Sequence, residues 1–284
     1  MRFLNFPYQK IATRYKGYKI QTYIFGTGKE IVFAFPSFPH SGLYYIWFLS
    51  RYDLSKVKFI TFDLPGWIGL SDNIFKTVPF SLGEFVEVAK LILAKHHVKK
   101  YSIVGYSFGG ALAVKLASDQ KEKIKNVALV SSVVNGVDVQ KYRIGKLVNF
   151  LYGIRFSPLL KYYVERTYHK YKASLNKENL PRGYTTMYEN MINRSSPRVL
   201  LTSIYTLFHT DWTCYFRNLK GLRILVANTL EEPLYFHKQA EHMRKVLKGC
   251  YSIAISGNHE DFVLKPKREV VKEVVNFLRG RLVK

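Results

Sequence analysis

At 284 residues, 48% of them hydrophobic, the chain can bury a sizeable core, as one large domain or one domain plus an insertion. Its net charge of +24, from 44 Lys+Arg against 20 Asp+Glu, favours acidic partners: nucleic acid, anionic lipid headgroups or an anionic substrate. Cys214 and Cys250 lie in no metal-spaced pair, which argues against a disulfide framework and a structural zinc site and predicts two reduced, buried thiols.

The amino terminus, Met1 to Pro7, lacks the apolar run of a signal peptide, and no stretch reaches the roughly 18 apolar residues of a membrane span. A soluble, cytoplasmic protein is expected.

In chain order, short runs rich in β-branched and aromatic residues predict strands. They are Tyr18–Phe25, Ile31–Phe35, Val57–Phe62, Tyr101–Val104, Val127–Val130, Ile224–Ala227 and Tyr251–Ile255. Several are continuously apolar, as parallel strands covered on both faces must be. Tyr18 to Tyr23 alternates instead, which predicts an antiparallel edge strand with one wet face.

Helices fill the intervals. Ser81 and Glu84 have capping-box spacing, and Phe85, Val86, Ala89, Ile92 and Leu93 follow as a buried stripe. A last helix is expected from Pro266, with Val270, Val271, Val274, Val275 and Leu278 as its core face and Gly280 as its stop. Strand–helix alternation over this length predicts an α/β fold with a mainly parallel sheet and helices on both faces.

Residues 136–217 break the alternation. The segment is helical in character and crowded with Tyr and Phe. Between Lys141 and Lys172 it carries eight basic residues against one acid, Glu165. It reads as a helical cap inserted in a core of residues 1–135 and 218–284. Arg143, Ile144, Lys146, Leu147, Phe150, Leu151, Tyr152, Arg155 and Phe156 could lay an aromatic face in a headgroup layer with cations around it. No specific nucleic-acid motif accompanies the charge, so the partner expectation beyond a substrate is a weak association with anionic membranes.

The strand at Tyr101–Val104 runs into Gly105-Tyr106-Ser107-Phe108-Gly109-Gly110 and then a helical Ala111–Ala117. In that context G-x-S-x-G is a nucleophile elbow: the serine sits on a strained strand-to-helix turn, and small neighbours relieve the crowding. A serine hydroxyl needs a base with a pKa near 7, which imidazole supplies. His259 lies just after the last strand, downstream of Ser107. His40, His96, His97, His169, His209, His237 and His242 have no comparable support at the carboxyl end of a strand.

With these segments the chain resembles the α/β-hydrolase family across most of its length. Phe35-Pro36-Ser37-Phe38-Pro39-His40-Ser41-Gly42 resembles the family's oxyanion loop, with Pro36-Ser37 where His-Gly is usual. Asp63-Leu64-Pro65-Gly66-Trp67-Ile68-Gly69-Leu70-Ser71 resembles its D-x-P-G-x-G-x-S loop with one extra residue. The resemblance implies an eight-stranded sheet and a Ser-His-acid triad cleaving an ester or related acyl bond of a small-molecule substrate, with no metal or organic cofactor. It implies Ser107 as nucleophile, His259 as base, and the N–H groups of Phe38 and Phe108 as oxyanion donors. The acid should follow the strand at Ile224–Ala227. Aligning on Pro233 makes it Glu232, counting from Asn228 makes it Glu231, and Asp138 is a third candidate.

Overall fold

The apolar runs become the centre of one eight-stranded sheet in a computed structural model that describes residues 6–155 and 192–281, with positions 158, 159, 162, 165, 166 and 189 between them. The strands are β1 Tyr8–Tyr15, β2 Tyr18–Phe25, β3 Glu30–Phe35, β4 Val57–Phe62, β5 Tyr101–Tyr106, β6 Ile124–Val130, β7 Arg223–Thr229 and β8 Tyr251–Ile255. Their order is β1-β2-β4-β3-β5-β6-β7-β8. The pairs β1·β2 and β2·β4 are antiparallel, and the remaining pairs are parallel.

Alternate residues of each central strand feed two cores. Phe33 and Phe35 of β3 join one cluster, while Val32 and Ala34 join the other. Helices fully within the described residues include α1 Ile46–Leu49, α2 Leu82–Lys95, α3 Phe108–Asp119, α4 Arg143–Gly153, α5 Pro197–Phe208, α6 Leu234–Val246, α7 Asp261–Leu264 and α8 Arg268–Leu278. Side chains of α2, α3 and α6 fill the first cluster, and those of α1, α7 and α8 fill the second. A strand buried on both faces has no use for polar alternation, which is why its run stays apolar.

Several expectations need correction. β2 is antiparallel but not an edge, because β1 pairs along its whole length. Two of its buried polar side chains are paired: Gln21 Nε2 donates to Ile11 O at 3.0 Å, and Tyr23 Oη donates to Asp63 Oδ2 at 2.8 Å, while Thr22 Oγ1 is buried with no hydrogen-bond partner among the described residues. The capping box is half formed. Ser81 Oγ accepts from Gly83 N at 3.1 Å, but Glu84 turns to Lys16 and the Tyr15 hydroxyl on the β1–β2 hairpin. Cys214 is exposed rather than buried; Cys250 is half-buried, and both are free thiols. The last helix starts at Arg268, two residues after Pro266, and Gly280 lies just past its end at φ +80°.

Between β6 and β7 the described residues are mainly helical and contribute no strand to the sheet. The ends of this insertion are pinned side by side by the Asn135–Asp211 bridge, Gly136 N to Thr210 O at 3.1 Å, and Trp212 N to Val134 O at 2.8 Å. α4 packs on α5, with the Tyr152 and Tyr205 rings stacked at 3.6 Å. The expectations placed on Phe156, Lys161, Lys170 and Lys172 lie outside the described residues. Among the described residues, no helix is long and apolar enough to cross a membrane.

Candidate active site

Ser107 stands between β5 and α3 at φ 55°, ψ −118°. A non-glycine residue holds that conformation only where its surroundings over-determine it, at about 1–3 kcal/mol. Three backbone hydrogen bonds do so: Ser107 N donates to Val130 O at 2.9 Å, and Ser107 O accepts from Gly110 N at 3.0 Å and Val133 N at 3.3 Å. The glycines permit the close packing. A Cβ on Gly109 would lie 2.6 Å from Phe35 O, and one on Gly110 would lie 2.2 Å from Ser132 Oγ. Phe108 opens α3, so its N–H belongs to the helix-terminal donors without an intrahelical acceptor.

His259 lies beyond β8, with its ring between two aromatics. Phe236 stacks at 4.1 Å and Tyr106 at 5.2 Å between ring centroids, and the Tyr106 hydroxyl donates to His259 O at 2.6 Å. The residue just before Ser107 thus positions the histidine. Of the three acid candidates, the structure brings Glu232 to it, with His259 Nδ1 3.2 Å from Glu232 Oε2. The Thr229 hydroxyl donates to the same oxygen at 2.9 Å. Glu232 Oε1 is buried with no hydrogen-bond partner among the described residues. Glu231 is exposed and bonds through its backbone to Gly257 O at 3.0 Å, while Asp138 is half-buried beside Lys141 and Asn135. Among the described residues, no hydrogen bond joins the Ser107 hydroxyl to the His259 ring.

Phe38 and Phe108 are neighbours, with ring centroids 6.1 Å apart, and Trp67 meets them edge-on at 5.1 Å and 4.6 Å. Trp67 Nε1 in turn donates to Ser203 of α5 at 3.0 Å, tying this floor to the insertion. The loop around Phe38 is held from below by Asp63, a fully buried carboxyl. Its Oδ1 accepts from Ser41 Oγ and from Gly42 N at 3.0 Å, and its Oδ2 accepts from Tyr23 Oη at 2.8 Å and Leu70 N at 2.6 Å. Burial pushes the Asp63 pKa up, against four donors that favour the carboxylate.

Sequence reasoning passed over a second histidine here. His40 does lie in the loop after a strand, β3, and its Nε2 is 3.7 Å from Glu260 Oε2, the residue after His259. His40 stacks flat on Tyr44 at 4.0 Å, and the Tyr44 hydroxyl donates to Glu260 at 3.0 Å. Burial works to raise the Glu260 pKa. The hydrogen bond and charge of His40, the charge of His259 and the Tyr44 hydroxyl outweigh it and hold it at about 2. Glu260 stands beside His259 in the sequence, but nothing local announces its partner. Among the described residues, no group of three His, Cys, Asp or Glu is placed to hold a metal ion.

Residues 31–266 match the family model described as the alpha/beta hydrolase fold. The chain belongs to the α/β-hydrolase fold family. Membership sets the reaction class as that of a hydrolase-superfamily enzyme and leaves the bond open, because the fold hosts many chemistries. Solved structures of the same fold illustrate the spread. The bromoperoxidase of Bacillus anthracis is 16% identical, with TM-score 0.73, covering 95% of this chain and 100% of that one. The esterase EaEST of Exiguobacterium antarcticum is 16% identical, with TM-score 0.70, covering 93% and 96%. A variant of the haloalkane dehalogenase DatA of Agrobacterium tumefaciens C58 is 16% identical, with TM-score 0.72, covering 98% of each. No curated protein matches. At such identities the likeness concerns the α/β-hydrolase fold alone.

Proposed function

We propose that the chain is a serine hydrolase that cleaves a carboxylic ester or related acyl bond through Ser107, His259 and Glu232. The observation that carries this reading is the Glu232–His259 contact of 3.2 Å beyond the carboxyl ends of β7 and β8, the same end of the parallel strands as the strained Ser107 elbow after β5. Ser107 Oγ attacks the substrate carbonyl as His259 Nε2 takes its proton. Glu232 keeps the Nδ1 proton in place and offsets the charge of the imidazolium. The N–H groups of Phe108 and Phe38 hold the developing oxyanion. The alcohol leaves with the proton from His259, and a water activated by the same imidazole releases the acid from Ser107.

A fluorophosphonate probe tests the reading. Wild type should be labelled stoichiometrically and Ser107→Ala not at all. Folded wild type that resists labelling would instead support a non-catalytic binding protein on this fold, a reading that the Pro36-Ser37 departure in the oxyanion loop favours.

A further inference from the structure

Eleven large apolar side chains are exposed among the described residues, and nine of them lie between β6 and β7 or in the turn from β7 into α6. On α4 and at its C-cap, Leu147, Phe150 and Ile154 recur at helical spacing and are exposed, Phe150 at 62%, while Val148 and Leu151 are buried. Leu230 and Leu234, 57% and 60% exposed, bracket Glu232. The two groups adjoin, because the ring of Tyr142, just before α4, meets that of Tyr235 at 5.8 Å. Exposed Arg143, Lys146 and Arg155 lie on and just beyond the same helix.

Single exposed apolar residues are ordinary, but a collection on one rim is not. We infer that this rim is a docking surface for an anionic lipid bilayer, with Phe150, Ile154 and Leu147 entering the headgroup–acyl boundary and the flanking cations meeting acidic headgroups. Aliphatic and aromatic side chains surrounded by Lys and Arg are the chemistry of a helix lying in an interface. A two-fold pairing with a second copy would set these cations against themselves, so charge disfavours that occupant. Leu230 and Leu234 would bring the Glu232–His259 end of the site to the lipid surface. The inference rests on the surface alone and does not require Ser107 to be catalytic.

Co-sedimentation with phosphatidylcholine vesicles, with and without phosphatidylserine, tests it in the full chain. Wild type should partition onto phosphatidylserine vesicles at least about tenfold more strongly than onto neutral ones, and less so as salt rises. Phe150→Asp/Ile154→Asp should lose that binding by about tenfold or more while keeping its melting temperature and its fluorophosphonate labelling. Equal binding to both vesicles by wild type would overturn the inference. So would binding that survives Phe150→Asp/Ile154→Asp but is lost in Lys56→Glu/Lys272→Glu, which alters a separate basic cleft between α8 and the 51–56 loop. A wild-type dimer that Phe150→Asp dissociates, with no vesicle binding, would assign the rim to self-association instead.

Discussion

Glu232 Oε2 faces His259 Nδ1 at 3.2 Å, and the Glu232 side chain is fully shielded from solvent. The carboxylate is therefore committed to one imidazole and one hydroxyl, that of Thr229. Glu232→Gln keeps the shape but lets the histidine adopt the wrong tautomer, so kcat should fall by about 10⁴-fold with little change in KM. Glu232→Asp withdraws the carboxylate by one methylene and should cost about 10²-fold. Exposed Glu231→Gln should leave the rate within about twofold, as surface changes away from such features do. Steady-state hydrolysis of a p-nitrophenyl ester separates these cases, and equal losses for both glutamates would deny Glu232 its special place.

The stacking of His259 between Phe236 and Tyr106 gives a second expectation. Tyr106→Phe removes only the hydroxyl that bonds His259 O at 2.6 Å. It should cost about 1 kcal/mol of stability, read as a melting-temperature fall of about 2–4 °C. Phe236→Leu keeps much of the volume but loses the flat surface against the imidazole. It should lower kcat more than it raises KM. A change confined to KM would show that Phe236 only lines the pocket.

The glycines after Ser107 differ in what they touch. A Cβ on Gly109 meets backbone, Phe35 O and Pro36 O, whereas one on Gly110 meets the Ser132 side chain. Gly109→Ala should push the loop that begins at Phe35 and Pro36 away from α3, costing about 1–3 kcal/mol of stability and, on the proposed mechanism, about 10²-fold in rate. Gly110→Ala should be partly rescued by Ser132→Gly, with a favourable coupling of about 1 kcal/mol or more in a double-mutant cycle of thermal stabilities. Additive losses in that cycle would refute the steric account.

The contrast between these residues shows what a sequence can carry. β3 to β7 were legible because a strand covered on both faces is apolar along most of its run, whereas β8, at the sheet edge with Ser252 and Ala254 exposed, showed only as a short run rich in apolar residues. β1 was not legible: of its eight residues only Thr13 is buried, so it has no continuous run and little alternation to find. Ser107 and His259 could be read because a strand-to-helix turn and a chain order mark them locally. Glu232 was favoured over Glu231 only by alignment on Pro233, because one residue of register decides which carboxylate turns inward, and the fold of the Thr229–Pro233 turn sets that register. Tyr106, Phe236 and the His40–Glu260 pair act through contacts between distant loops, which leave no local pattern.

The His40–Glu260 pair leads to the last prediction. It joins the loop that carries Phe38 to the loop that carries His259, with Tyr44 completing the contact. Glu260 is held at about 2, below the ordinary 4.5 for a glutamate. A depressed carboxylate contributes stability that is present above its unfolded value and is lost as pH falls through its folded value. The window here is therefore pH 4.5 down to about 2, and the stabilisation lost across it amounts to about 3 kcal/mol at most. The wild-type melting temperature should drop across that window, whereas Glu260→Gln should start lower and run flatter. The same variant should lower kcat while leaving KM nearly unchanged, because it loosens the two loops against each other without touching substrate. Parallel melting curves for wild type and Glu260→Gln across the window would show that the pair does not hold these loops together.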